Sequence, residues 1–317
     1  MSLRVPPCLL VLLPVFLHTT PHSLACQAQQ PPQVGTIRVS TNLVQVPVSV
    51  TDAAGHAVKE LQLENFSIEE NGNPVTIAHL GEAGETRLEM VLVFDNTGSV
   101  FTQFDFDQQA ATDFLKTIFR PHDAVAILCI GSKPKVVLER TVSLADALRS
   151  LGQLKPSGVA TAFCDSVIAA ARMLHAPVDP EVRRVQIVLS DGEDNLSEKH
   201  LADAIREVQQ ADCIFYSINP GGPSVRLNPV GLRGQRAMET LAEQTGGVAF
   251  LADKREALGE IYGRIATELQ SQYLLSYYSP DTKMDGSFRR IVVGVPKRPE
   301  LRVRARQGYY ATKGPAR

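Results

Sequence analysis

After residue 25 the chain has no apolar run long enough to cross a bilayer, which excludes a body built of membrane-spanning helices. A dominant charge is missing too. The formal net charge of −2 over 317 residues predicts no nucleic-acid partner. Cysteine is scarce, with five residues and no Cys-x-x-Cys pair, and the seven histidines are scattered, so nothing suggests a zinc site. What remains is ordinary globular composition, 44% hydrophobic and 21% charged, enough for one large or two modest domains. The one charge bias is local: from residue 288 onward nine Lys and Arg stand against Glu300 alone.

The amino terminus reads as an export signal at residues 1–25. Arg4 supplies the positive region, residues 9–17 an apolar core broken by Pro14, and Ser23-Leu24-Ala25 a small-x-small cleavage site. Cys26 follows directly, but Leu24 stands only two residues before it, which does not match a bacterial lipobox; a lipoprotein is the lesser alternative to a periplasmic, envelope-associated or secreted protein. With Cys8 removed and Cys26 at the new terminus, Cys129, Cys164 and Cys213 remain. Three cannot close completely into intramolecular disulfides, and all lie in apolar stretches, so they read as small buried hydrophobes.

A Gln- and Pro-containing linker at 26–35 precedes IRVSTNLVQVPVSVTD, which alternates apolar and polar residues as a strand does. FSIEENGNPVTIAHL then holds two short strands joined at Asn71-Gly72, so 36–82 is an antiparallel β module. Over 87–272 strands alternate with helices. LEMVLVF, AVAILCI, VQIVLS, CIFYSI and GVAFLA are strands. Helices are expected at 144–151, 162–174, 198–210, 234–244 and 254–272, and another carries Phe106, Ala110, Phe114 and Ile118 on its buried stripe. Three more strands follow within 273–317. The fold class is α/β, a doubly wound, mainly parallel sheet inserted between β segments that pack together as a small sandwich-like unit. Arg302, Arg304 and Arg306 share one strand face, read as a solvated edge that discourages pairing rather than as a site for an acidic partner.

The stretch VLVFDNTGSV at 91–100 runs four apolar residues into Asp95 and then sets hydroxyls at Thr97 and Ser99. Asp191 ends VQIVLSD, and Thr161 stands in a loop opening a helix. Ligands of open α/β sheets bind beyond the carboxyl ends of the strands. Asp95, Thr97, Ser99, Thr161 and Asp191 can converge there as hard oxygen donors, which suits Mg²⁺, with Mn²⁺ or Ca²⁺ as alternatives. Asp165, Glu193 and Asp194 read as solvated or outer groups.

DNTGS resembles the Asp-x-Ser-x-Ser signature of von Willebrand factor type A (VWFA) domains, GVATAF their threonine loop, and LSDGEDN their second aspartate loop, in that order. The flanks VPVSVTDAAGHAV, ENFSIEENGNPV and QYLLSYYSPDTKMDGSFRRIVV are similar to exported VWFA-related proteins common in acidobacteria. One position departs, since Thr97 replaces the middle serine while keeping the hydroxyl. The resemblance implies a metal-ion-dependent adhesion site. Thr97, Ser99 and Thr161 would coordinate the cation, Asp95 and Asp191 would support it directly or through water, and a partner protein's Asp or Glu carboxylate would complete the shell. The implied protein is a binding module and not an enzyme.

Two alternatives stay open. A structural envelope protein with a lapsed metal site would share every feature except cation binding. FDNTGSV also resembles the Asp-Lys-Thr-Gly-Thr of haloacid-dehalogenase-type phosphohydrolases, but no lysine lies between Lys155 and Lys199 to hold a phosphoryl group, and Asp191 and Asp194 are spaced too closely for the acidic motif of that superfamily.

Overall fold

The computed structural model describes residues 42–97, 104–156, 160–175, 179, 181–252 and 257–311. The expected signal peptide, the linker at 26–35 and Ser99 lie outside these residues. The strands are β1 (Leu43–Thr51), β2 (Ser67–Glu70), β3 (Asn73–Val75), β4 (Ile77–Glu82), β5 (Arg87–Asp95), β6 (Ala124–Ile130), β7 (Lys135–Thr141), β8 (Val182–Leu189), β9 (Cys213–Asn219), β10 (Ala249–Leu251), β11 (Tyr273–Tyr278), β12 (Phe288–Gly294), β13 (Arg302–Ala305) and β14 (Gly308–Tyr310). The helices are α1 (Phe104–Ile118), α2 (Leu144–Gly152), α3 (Phe163–Leu174), α4 (Leu201–Gln210), α5 (Pro229–Thr245) and α6 (Ala257–Ser271).

Near-continuous apolar runs need cover on both faces, and the central sheet obtains it. Its order is β10-β9-β8-β5-β6-β7, parallel except for β7. Every residue of β6, β8 and β9 is buried. Leu88, Met90, Leu92 and Phe94 of β5 face α1, α2 and α6 in one core, whereas Val91 and Val93 face α3, α4 and α5 in the other. Strand order reverses at β5, which lies between β6 and β8, so the carboxyl ends of β5 and β8 flank the crevice where such sheets bind ligands.

Two four-stranded antiparallel sheets, β13-β1-β11-β4 and β14-β12-β2-β3, contribute Val44, Val46, Val48, Ile68, Leu275, Tyr277 and Ile291 to a third core. Both sheets mix strands from before and after the α/β segment. β4 and β11, its two ends, lie hydrogen-bonded side by side, with Glu82 opposite Tyr273. The segment therefore leaves and rejoins the same sheet at neighbouring positions.

Three sequence expectations are corrected. Phe106 is 43% exposed, and the buried stripe of α1 runs through Phe104, Ala111, Phe114, Leu115 and Ile118, because a strict four-residue spacing drifts off the 3.6-residue turn. α5 begins at Pro229, five residues earlier than expected, because Asn228 caps it through Val230 N at 3.0 Å and proline suits a first helical turn. Of the arginine stripe, Arg302 is exposed as a solvated edge would be, but Arg304 and Arg306 are not. β13 is a sheet edge, yet Arg304 pairs with Glu268 at 2.6 Å and donates to Gly247 O at 3.1 Å. Arg306 pairs with Asp212 and donates to Gln45 O.

Glu268 of α6 also accepts from Ser49 of β1 at 2.8 Å and from Tyr216 of β9 at 2.6 Å, so one carboxylate ties the sandwich to the central sheet. Glu268→Gln keeps the shape and removes the charge. It should cost about 1–3 kcal/mol, seen as a lower urea midpoint with an unchanged slope; an unmoved midpoint would mean that the tie contributes nothing to stability.

Candidate functional site

Asp95 is the last residue of β5 and is buried. Both of its carboxylate oxygens are engaged. Oδ1 accepts from Thr97 N at 3.0 Å and Thr97 Oγ1 at 2.6 Å, and Oδ2 accepts from Ser190 Oγ at 2.7 Å. Ser190 in turn accepts from Gly192 N at 3.0 Å. Burial pushes the Asp95 carboxyl above its ordinary value, the Thr97 and Ser190 donors pull it back, and the neighbouring Asp191 charge adds to the rise.

Thr161 comes from the loop opening α3 and is buried. Its Oγ1 lies 3.3 Å from Thr97 Oγ1. Adjacent ligands on an octahedron of radius about 2.1 Å stand about 3.0 Å apart, so the two hydroxyls are spaced close to one edge of a Mg²⁺ shell. Thr97 donates its only proton to Asp95, and its oxygen accepts from the Thr161 hydroxyl, so the two hydroxyl oxygens and the carboxylate form one chain. Asp191 is buried beside them and accepts from Glu193 N through Oδ1 at 3.0 Å. Of the five residues expected from sequence, Asp95, Thr97, Thr161 and Asp191 stand at this end of the sheet, and Ser99 lies outside the described residues.

The loop after β8 is laced to the start of α3. Thr161 N donates to Asn195 Oδ1 at 2.9 Å, and Thr161 O accepts from Asn195 N and Leu196 N at 3.0 and 3.1 Å. Asp194 accepts from Cys164 N at 2.9 Å and Ser197 N at 3.0 Å. Asp165 accepts from Glu198 N and Lys199 N. Asp165 and Asp194 therefore tie two site loops together as outer groups, Asp194 from an exposed position. Ser190, Asn195 and these ties escaped sequence reasoning, although Ser190 advertises itself as a hydroxyl at a strand end beside Asp191. Glu193 is partly buried, and that burial followed by the charges of Asp191 and Asp95 raises its carboxyl.

On the β9 side, Asn219 Nδ2 donates to Gln235 Oε1 at 3.0 Å and to Asp191 O at 3.4 Å. Gly192 and Gly234 meet there. A Cβ on Gly234 would fall 2.5 Å from Asp191 O, so α5 rests directly on the Asp191 loop.

Cys129, Cys164 and Cys213 are free and buried, and burial pushes the Cys129 thiol up to about 12. A cleft of about 1280 Å³ opens elsewhere, between sandwich and sheet, and none of the site oxygens lines it. Among the described residues no group of three or more His, Cys, Asp or Glu could hold a metal. Two aspartates with hydroxyls form a different donor set, and its buried, proton-committed oxygens fit a small hard cation.

Residues 90–193 match the family model described as von Willebrand factor type A domain, a span that contains all five expected site positions. The chain carries a von Willebrand factor type A domain. Domains of this family are protein-interaction modules. Similar solved structures include the conserved hypothetical protein BatB from Bacteroides thetaiotaomicron, 16% identical over 58% of this chain and 100% of that one, with a TM-score of 0.46. A von Willebrand factor type A protein from Catenulispora acidiphila is 15% identical over 74% and 51%, with a TM-score of 0.49. The PilB minor pilin of Streptococcus sanguinis is 13% identical over 59% and 62%, with a TM-score of 0.47. No protein of curated function matches this sequence.

Two outcomes follow from the loop contacts. Gly234→Ala must separate α5 from the Asp191 loop and should cost about 1–3 kcal/mol in thermal or urea unfolding. Burial works against the Asp194 charge, but the Cys164 and Ser197 donors outweigh it and hold the carboxyl below its usual range. A lowered carboxyl stabilises the fold above its unfolded value near pH 4 and loses that contribution as pH falls through its folded value. Asp194→Ala should therefore destabilise by about 1 kcal/mol at pH 7 and by less at pH 2, and an equal loss at both would refute the charged-tie account.

Proposed function

We propose that the protein is an exported, divalent-cation-dependent binding module, not an enzyme, that holds Mg²⁺ and captures an Asp or Glu carboxylate of a partner protein. The observation carrying this reading is the pairing of Thr97 Oγ1, its proton committed to Asp95, with Thr161 Oγ1 at 3.3 Å. Thr97, Thr161 and, by its place in the motif, Ser99 would hold the cation. Asp95 and Asp191 supply charge behind the hydroxyls. A bound Mg²⁺ faced mainly by neutral oxygens stays electrophilic and accepts an outside carboxylate.

Export rests on residues 1–25 of the sequence, and among the described residues no helix is long and apolar enough to cross a membrane. A phosphohydrolase role for Asp95 is disfavoured by the sequence, in which no lysine lies between Lys155 and Lys199 to hold a phosphoryl group.

Calorimetry with Mg²⁺ and Mn²⁺ decides the matter. Thr161→Ala should weaken Mg²⁺ binding about tenfold, and Asp95→Ala about 10–100-fold, with circular dichroism unchanged. Absence of any Mg²⁺ or Mn²⁺ heat from the wild-type chain would overturn the reading in favour of a structural protein with a lapsed site.

A further inference from the structure

The segment 223–238, PSVRLNPVGLRGQRAM, carries Arg226, Arg233 and Arg236 and no acidic residue. It forms the short 3₁₀ turn Pro223–Leu227 and the first turns of α5. None of the three arginines makes an ion pair among the described residues, whereas Arg140, Arg304 and Arg306 elsewhere are all paired. Apolar side chains stand out beside them. Leu227 is 87% exposed and Val230 42%, values that water penalises without a partner to cover them.

This surface adjoins the proposed cation site. Gly234 touches the Asp191 loop, and Arg233 precedes it on α5. Asn228 and Pro229 fix how the chain turns into α5, so Leu227 and Val230 are held on a defined helix start rather than on a loose loop.

From these contacts we infer that residues 226–236 are the second half of the partner-binding face, and that the partner is a protein segment combining several acidic residues with an apolar one. The inference rests on the metal-capture reading for the first carboxylate only. Further Asp or Glu side chains pair with Arg226, Arg233 and Arg236, and an apolar side chain covers Leu227 and Val230. Charge complementarity selects this occupant, because three unpaired guanidinium groups reject a basic partner and an apolar knob rewards one that is not purely ionic.

The test uses the full chain and a labelled peptide of repeating Leu-Glu-Asp, with a Leu-Lys-Lys peptide and a single-stranded oligonucleotide as comparisons, in Mg²⁺ and again in chelator. The acidic peptide should bind, Arg226→Glu with Arg233→Glu should weaken it about tenfold or more in either condition, and Leu227→Asp should weaken it as well. Arg149→Glu, on distant α2, is the control and should change nothing. An effect of chelator smaller than twofold, with the arginine effect intact, would sink metal capture and leave this surface standing. Binding unchanged by the double reversal, or equal binding of the oligonucleotide, would overturn the inference whatever the chelator does.

Discussion

The Glu268 carboxylate holds the two halves of this structure together. It sits near the end of α6, the last helix over the central sheet, and receives Tyr216 from that sheet, Ser49 from β1 and Arg304 from β13. A charge in such a place is costly unless every oxygen is satisfied, and its partners come from parts of the chain 219 and 36 residues away. Gln272, one turn on, extends the network to Arg183, whose guanidinium also reaches Leu269 O at 2.7 Å. Burial pulls Arg183 down to about 10, which leaves it charged at neutral pH. Polar satisfaction and apolar burial therefore select the same arrangement of sandwich against sheet, the agreement between levels that gives a fold one answer.

The crevice works on the opposite principle. Asp95 and Asp191 are brought close enough for each charge to be felt by the other, and hydroxyl and backbone donors only partly offset the cost of burial. Such unbalanced charge persists when the surrounding structure enforces it, and here the ties of Asp194, Asn195 and Asp165 do so. A divalent cation is the simplest species that would relieve the imbalance, which makes those ties part of the proposed function as well as of the fold.

Much of the fold was legible because the central strands are apolar throughout and the β segments alternate, two periods that are hard to confuse at these lengths. β7 was not legible: KVVLERT buries no residue fully, and an exposed antiparallel edge has no hydrophobic pattern to find. The phase of α1 failed for a related reason, since Phe106 looks like a core residue by type while Phe104 is one by position. At the site, residue type, chain order and the family resemblance led to Asp95, Thr97, Thr161 and Asp191, which stand together at one end of the sheet. Ser190 and Asn195 act through bonds spanning 95 and 34 residues, and no local pattern records such pairings. Arg304 and Arg306 show the same blindness, because an arginine on an edge strand reads as solvated until the acid that meets it is seen.

α5 connects these two regions. Near its start Gly234 lies against Asp191 and Gly192, and at its end Gly246, in the left-handed conformation at φ 87°, lies so close to β13 that a Cβ would fall 2.7 Å from the Ala305 carbonyl carbon. A helix of 17 residues, about 25 Å long, is thus seated at both ends on backbone rather than on adjustable side chains. Backbone-on-backbone contacts of that kind offer no second arrangement of similar packing. The Asp191 loop is therefore held in place before any ligand arrives, and the sandwich that braces the far end of α5 contributes to the geometry of a site it does not touch.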